Sequence, residues 1–147
     1  MRVRVQSAAF DFAAEAGAFA QGLPGVGAIV TFTGIVRDEI PGGLRAMQIE
    51  HYPGMTESAI AAMVDQATAR WQLADCLVIH RIGELAPQAP IMMVATAAAH
   101  RAEAFAAAEF LMDYLKSRAP FWKKEITASG ARWVAAKDED EDALSRW

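Results

Sequence analysis

Four cations, Lys116, Arg118, Lys123 and Lys124, fall within residues 116–124, a stretch without a single acid, in a chain whose net charge is −4. Lys123 stands just past Pro120 and directly after Phe121-Trp122. A lysine held against apolar rings binds its proton more weakly, which suits proton transfer or nucleophilic attack. Lys116 alone has a plainer explanation, because a cation near a helix C-terminus complements the helix dipole. His100-Arg101 opens the same helix at its other end, where backbone donors favour an anion. A capping histidine beside a solvated arginine accounts for that pair equally well. Arg37 closes a strand at a sheet edge. If the fold gathers Arg37, His100, Arg101, Lys116, Lys123 and Lys124, they form a pocket for a small phosphorylated ligand.

Other chemistries find little support. Cys76 is the sole cysteine, so there is no disulfide framework, and its apolar neighbours make it a core thiol rather than a nucleophile. His51, His80 and His100 are 29 and 20 residues apart, which matches no local ligand spacing, and no metal site is expected. No cofactor-binding fingerprint is present either, whether P-loop, GxGxxG or GxSxG, so no cofactor is expected. GLPGVG (22–27) is glycine-rich but opens a strand, which weakens it as a phosphate cradle. Met92, Met93 and Met112 read as core. An acidic chain of pI near 5.3 argues against nonspecific nucleic-acid binding. With no signal-like N-terminus and no long uncharged apolar run, neither export nor a membrane span is expected, and a cytoplasmic setting follows.

The elements that must carry these side chains follow from periodicity. Residues 2–6 alternate as a strand, and Asp11 caps a helix that ends by Gly22. AIVTFTGIVR (28–37) is a β-rich run, EIPGG (39–43) a turn, and Arg45–Tyr52 an alternating strand expected to form a hairpin with 28–37. Thr56 caps a helix through about Arg70. Cys76–Ile82 is a strand, Gly83–Pro90 a connection, and the continuous apolar run Ile91–Ala98 a central strand. The next helix places Phe105, Ala108, Met112 and Leu115 on one face and stops before Pro120. Two short strands, 122–128 and 132–136, flank Ser129-Gly130, and the acidic tail forms a short helix. One composition regime and 147 residues give a single domain, of α+β class with a mostly antiparallel sheet.

Five segments, GAIVTFTGIVRD (27–38), EHYPGMTE (50–57), HRIGEL (80–85), AAHRAEAF (98–105) and MDYLKSRAPFWKKE (112–125), resemble the large, catalytic subunit family of molybdopterin synthase. The resemblance extends over nearly the whole chain. It implies an α/β-hammerhead-type fold with an added antiparallel β subdomain, and a homodimer at the centre of a heterotetramer. It also implies a small ubiquitin-like partner whose C-terminal Gly-Gly carries a thiocarboxylate. The implied reaction is sulfur transfer to cyclic pyranopterin monophosphate, making the dithiolene of molybdopterin in molybdenum cofactor biosynthesis. Matched position by position, Lys116 and Lys123 take the catalytic places, and Ile35, Val36, Arg37, His100, Arg101, Lys124 and Glu125 join them in binding substrate. The chain departs from many relatives at Gln88-Ala89, a remote turn, and at Lys137, which stands where some carry an arginine. The absence of a well-placed cysteine agrees with sulfur arriving on a partner. The alternative is a non-catalytic module that binds a phosphorylated ligand or a peptide tail in the same basic pocket.

One constraint comes from length. A 16-residue helix spans roughly 24 Å, so His100-Arg101 and the lysines at its far end cannot close one compact pocket within a chain. Either the ligand lies in an extended groove, or a second copy brings its His100-Arg101 to these lysines.

Overall fold

A computed structural model describes residues 2–38, 43–135 and 137–147. The turn read at 39–43 lies outside them except for Gly43, as does Ala136 at the end of the last expected strand. The order of elements is β1 (Arg2–Gln6), α1 (Phe12–Phe19), β2 (Ala28–Ile35), β3 (Leu44–His51), α2 (Met55–Trp71), β4 (Asp75–Arg81), β5 (Gly83–Leu85), β6 (Pro90–Ala98), α3 (Arg101–Ser117), β7 (Phe121–Thr127), β8 (Gly130–Trp133) and α4 (Asp138–Leu144). The strands form two four-stranded sheets, ordered β1-β4-β6-β2 and β5-β3-β7-β8. Among the described residues, only β1 with β4 pairs in parallel; the other pairings are antiparallel.

β6 is central because both of its faces are apolar. Met92, Val94 and Ala98 point to the side covered by α2 and α3, where Ile60, Val64, Phe110 and Leu111 meet Cys76 and Val78 of β4. Met93, Ala95 and Ala97 point to the other side, where Phe19 of α1 closes over Leu77 and Ile79. Burial on both faces is what a continuous apolar run requires. Asp11 caps α1 as expected, its carboxylate accepting from the N–H groups of Ala13 and Ala14 at 2.9 and 3.1 Å. A third small cluster, Val36, Ile49 and Leu85 with Phe121 packed against it, joins the two sheets.

Several expectations change. The stretch Gly83–Pro90, read as a connection, begins with the short strand β5, which pairs with β3. The hairpin of 28–37 with 45–52 does not form: β2 pairs with β6, and β3 pairs with β5 and β7. The link between them is longer than a hairpin turn, so it leaves the strands free to separate. The open edge of the doubly buried β6 takes the Val/Ile-rich β2, while the polar alternation of β3 suits the more exposed second sheet. Of the expected face of α3, Ala108 and Leu115 are buried, but Phe105 is 62% exposed and Met112 only partly buried; Ala104, Ala107, Phe110 and Leu111 complete the buried stripe. Small alanines let the helix axis approach the sheet, and a phenylalanine would hold it off. Thr56 is not the cap of α2. Gly54, at φ 82°, takes that position, and its N–H donates to the Glu57 carboxylate at 2.7 Å. The buried Thr56 hydroxyl instead accepts from the Tyr52 N–H and donates to the Pro120 carbonyl, both at 3.1 Å. That bond ties the start of α2 to the break before β7, and so helps to set where Lys123 emerges.

Candidate functional site

Lys116 ends α3 and Lys123 lies in β7, and the turn at Pro120 folds the two elements so that both lysines line one cavity of about 80 Å³. Its other walls are Phe32, Gly34 and Ile35 of β2, His80 of β4, Ile91 and Met92 of β6, and Met112 and Leu115 of α3. Apolar walls strip water from the Lys123 ammonium. This desolvation, helped by the like charge of Lys116, brings its pKa from 10.5 down to about 8. Roughly a tenth of the side chain is therefore the free amine at pH 7, rising to about half at pH 8. Asp140 of α4 partly opposes the shift, and Lys137 at the start of that helix adds to it.

The remaining sequence candidates divide between this cavity and other places. Ile35 reaches the lysine cavity, with 53% of its surface open. The Val36 side chain is fully buried in the cluster joining the sheets, and its backbone is held on both sides: its N–H donates to Ala89 and its carbonyl accepts from Gln88. The Val36 side chain is therefore closed to a ligand. Arg37 lines a second, larger cavity of about 450 Å³, together with Asp38, Glu125, Thr127, Ser129 and Arg132. Glu125 is paired there with Arg132 at 3.2 Å. Lys124 points to the opposite face of β7 from Lys123, its ammonium 4.5 Å from the centre of the Trp133 ring. His100 occupies the N-cap position of α3 without a side-chain cap bond, and Arg101 follows it; both are exposed. They stand a full 17-residue helix, about 25 Å, from the lysines. One chain thus brings Lys116, Lys123 and Ile35 together, sets Arg37 and Glu125 in a neighbouring hollow, and leaves His100-Arg101 apart.

Two other features bear on the chemistry. Cys76 is fully buried and its thiol is pushed up to about 12 by burial, with the charge of Asp75 adding to the effect. A thiol so placed is not a nucleophile at neutral pH. His80, treated on sequence grounds only as a metal question, is a wall of the lysine cavity. The signal that could have found it is the phase of β4: Cys76, Val78 and His80 alternate onto the face that packs under α3. Among the described residues no group of three or more His, Cys, Asp or Glu side chains is arranged to hold a metal ion, and no helix is long and apolar enough to cross a membrane.

Fold and cavity together define an α+β protein with a half-enclosed apolar pocket edged by two lysines. Residues 5–118 match the family model described as MoaE protein. A curated relative from Cereibacter sphaeroides, the molybdopterin synthase catalytic subunit, is 72% identical over 147 residues and covers 100% of both chains. The solved molybdopterin biosynthesis MoaE protein of Burkholderia ambifaria superposes with a TM-score of 0.84 at 48% identity, covering 99% of this chain and 97% of that one. A protein–protein complex of subunits 1 and 2 of molybdopterin-converting factor from Helicobacter pylori shares the fold, with a TM-score of 0.76 at 18% identity over 92% of this chain and 90% of that one. The chain belongs to the MoaE family.

Proposed function

We infer that the chain, as one domain over 1–147, is the catalytic subunit of a molybdopterin synthase: a sulfur transferase of molybdenum cofactor biosynthesis that converts cyclic pyranopterin monophosphate to molybdopterin. The observation that carries this reading is the convergence of Lys116 and Lys123 on one apolar cavity, in a chain whose only thiol is sealed in the core. A sulfur transferase without a usable thiol needs its sulfur delivered. A small ubiquitin-like subunit with a C-terminal Gly-Gly thiocarboxylate fills that need, its thin tail matched to a narrow hollow. The two-subunit complex of the Helicobacter pylori molybdopterin-converting factor supports a partner subunit.

Roles follow from the surroundings. Freeing sulfur from an acyl group passes through a tetrahedral oxyanion, which a fixed cation stabilises. Lys116 and Lys123 stand where that charge develops, and Lys123, poised near neutrality, also moves protons at the reacting carbons. Ile35 and the backbone at Val36 border the ligand. Arg37 and Glu125 line its approach, with Arg37 neutralising phosphate, while Lys124, on the other face of β7, binds ligand only outside the lysine cavity. His100 and Arg101 are too distant within one chain, so they serve the lysines of a second copy. The exposed Ile29, Phe32 and Ile35 along the edge strand β2 support association of two copies. The assembly is then a homodimer at the centre of a heterotetramer.

The deciding experiment mixes the protein with a thiocarboxylated small subunit and cyclic pyranopterin monophosphate, then assays molybdopterin. Dithiolene formation is expected. Tight ligand binding without turnover would replace the enzyme by a binding module.

A further inference from the structure

His80 is 4% exposed, and its ring lies against Phe121 at 3.8 Å between centroids, 16° from parallel. Phe121 and Lys123 are two residues apart in β7 and so share a face, which sets the imidazole beside the lysine in the wall of the same cavity. Nδ1 is 2.8 Å from the Arg81 carbonyl oxygen. A carbonyl can only accept, so Nδ1 carries the hydrogen and Nε2 keeps a lone pair. Burial, with the nearby charges of Lys123, Lys116 and His51 adding to it, pushes the ring's pKa down to about 3, although the Arg81 carbonyl opposes this. The ring is therefore neutral throughout the working range. It cannot act as a proton carrier there. Toward the cavity, its free Nε2 can only accept a hydrogen bond.

We propose that His80 is a positioning residue for Lys123: a ring locked in one tautomer by the Arg81 carbonyl and by its stack on Phe121, presenting Nε2 to the lysine amine as an uncharged acceptor. A carboxylate in this place would pair with Lys123 and hold it as a permanent ammonium. A purely apolar wall would leave the amine undirected and would drive its proton off more strongly. A neutral acceptor fixes the direction of the amine and stabilises the ammonium modestly, so the group still titrates near neutrality. The other charged groups that act on Lys123 are Lys116 from α3, with Asp140 and Lys137 from the α4 segment. His51, from β3, is turned to Glu57 at 3.6 Å. The functional consequence rests on the proposed role of Lys123, but the placement of His80 and Lys123 in one cavity wall does not.

The test reads Lys123 directly, from the pH titration of its ¹³Cε signal in the free protein, assigned by its loss in Lys123→Arg. His80→Phe keeps the stack on Phe121 and removes the acceptor. It is expected to move the Lys123 midpoint down by about one pH unit, since a hydrogen bond favours the charged form it joins. His80→Gln, which can place an oxygen near Nε2, is expected to restore most of the shift. An unmoved midpoint in folded His80→Phe overturns the proposal. If His80→Phe does not fold, the wild-type imidazole answers instead: its Nε2 resonance is expected to change in Lys123→Met and to stay put in Arg132→Ala, and an unchanged resonance in Lys123→Met overturns the proposal. With substrate and partner, the limb of the pH–rate profile due to Lys123 is expected to move with the midpoint. A shifted midpoint in a protein that makes no dithiolene keeps the positioning role and removes the enzymatic reading. Lost turnover with an unmoved midpoint does the reverse.

Discussion

Lys123→Met is expected to stabilise the fold and to abolish turnover. The wild-type ammonium is held in an apolar wall, and its pKa falls from 10.5 to about 8. At about 1.4 kcal/mol per pH unit, keeping that charge in the folded protein at pH 7 costs about 3 kcal/mol. The cost is fully present below pH 8, where both folded and unfolded chains carry the proton. Between about 8 and 10.5 the unfolded chain still binds a proton that the folded one has released, so wild-type stability rises with pH through this window. By pH 9.5 the cost has shrunk to about 1.4 kcal/mol by the same relation. Methionine has a similar length and no charge, and it suits a wall shared with Met92 and Met112. Urea unfolding at equal protomer concentration should therefore give Lys123→Met a gain of up to about 3 kcal/mol at pH 7 and roughly half that at pH 9.5. Equal stabilities at pH 7, or a gain that stays the same at both pH values, would falsify the claim that this lysine is held at the expense of stability.

Other substitutions separate chemistry from scaffold. Lys116→Ala should lower dithiolene formation by a factor of about 100 or more while the circular dichroism spectrum is retained; activity near wild type would remove it from the reacting centre. Cys76→Ala should keep turnover and lose about 1 kcal/mol of stability, and the native thiol should resist alkylation at neutral pH; loss of turnover in the folded variant would show that the thiol takes part. Gly27→Ala sets a Cβ 2.4 Å from the Ala99 carbonyl oxygen, where β2 starts beside the head of α3. A cost of about 1–3 kcal/mol in thermal or urea unfolding is expected, against no change if the two segments can move apart. Asp11→Ala, which removes the carboxylate that accepts from the Ala13 and Ala14 N–H groups, should cost about 1 kcal/mol in the same assay.

The periodic signals in the chain were enough to place most of its elements. An apolar run without alternation, Ile91 to Ala98, can lie only where both faces are covered, and β6 does so. Asp11 before an alanine-rich stretch, the break at Pro120 and the cations packed around it are local facts of residue type, and so is the isolation of a single cysteine in a strand. The family was legible in the same way, in contiguous motifs that survive reading as text. What the sequence could not decide is pairing. Whether β2 joins β3 or β6 depends on which arrangement buries more apolar surface across the whole sheet, and no local pattern contains that comparison. Phe105 was set on the buried face of α3 for a related reason: alanine and phenylalanine are both apolar, and only the distance between helix and sheet says which of them fits. The cavity is likewise a tertiary product. Lys116 and Lys123 meet because a turn, tied to α2 by the Thr56 hydroxyl, folds β7 back against α3. His80 enters from a strand more than thirty residues away in sequence, on the face that the packing of β4 chose for it. The sequence by itself determined which groups are available and which elements carry them; tertiary packing decided which meet and how much water each keeps, and desolvation by that packing lowers the proton affinity of Lys123.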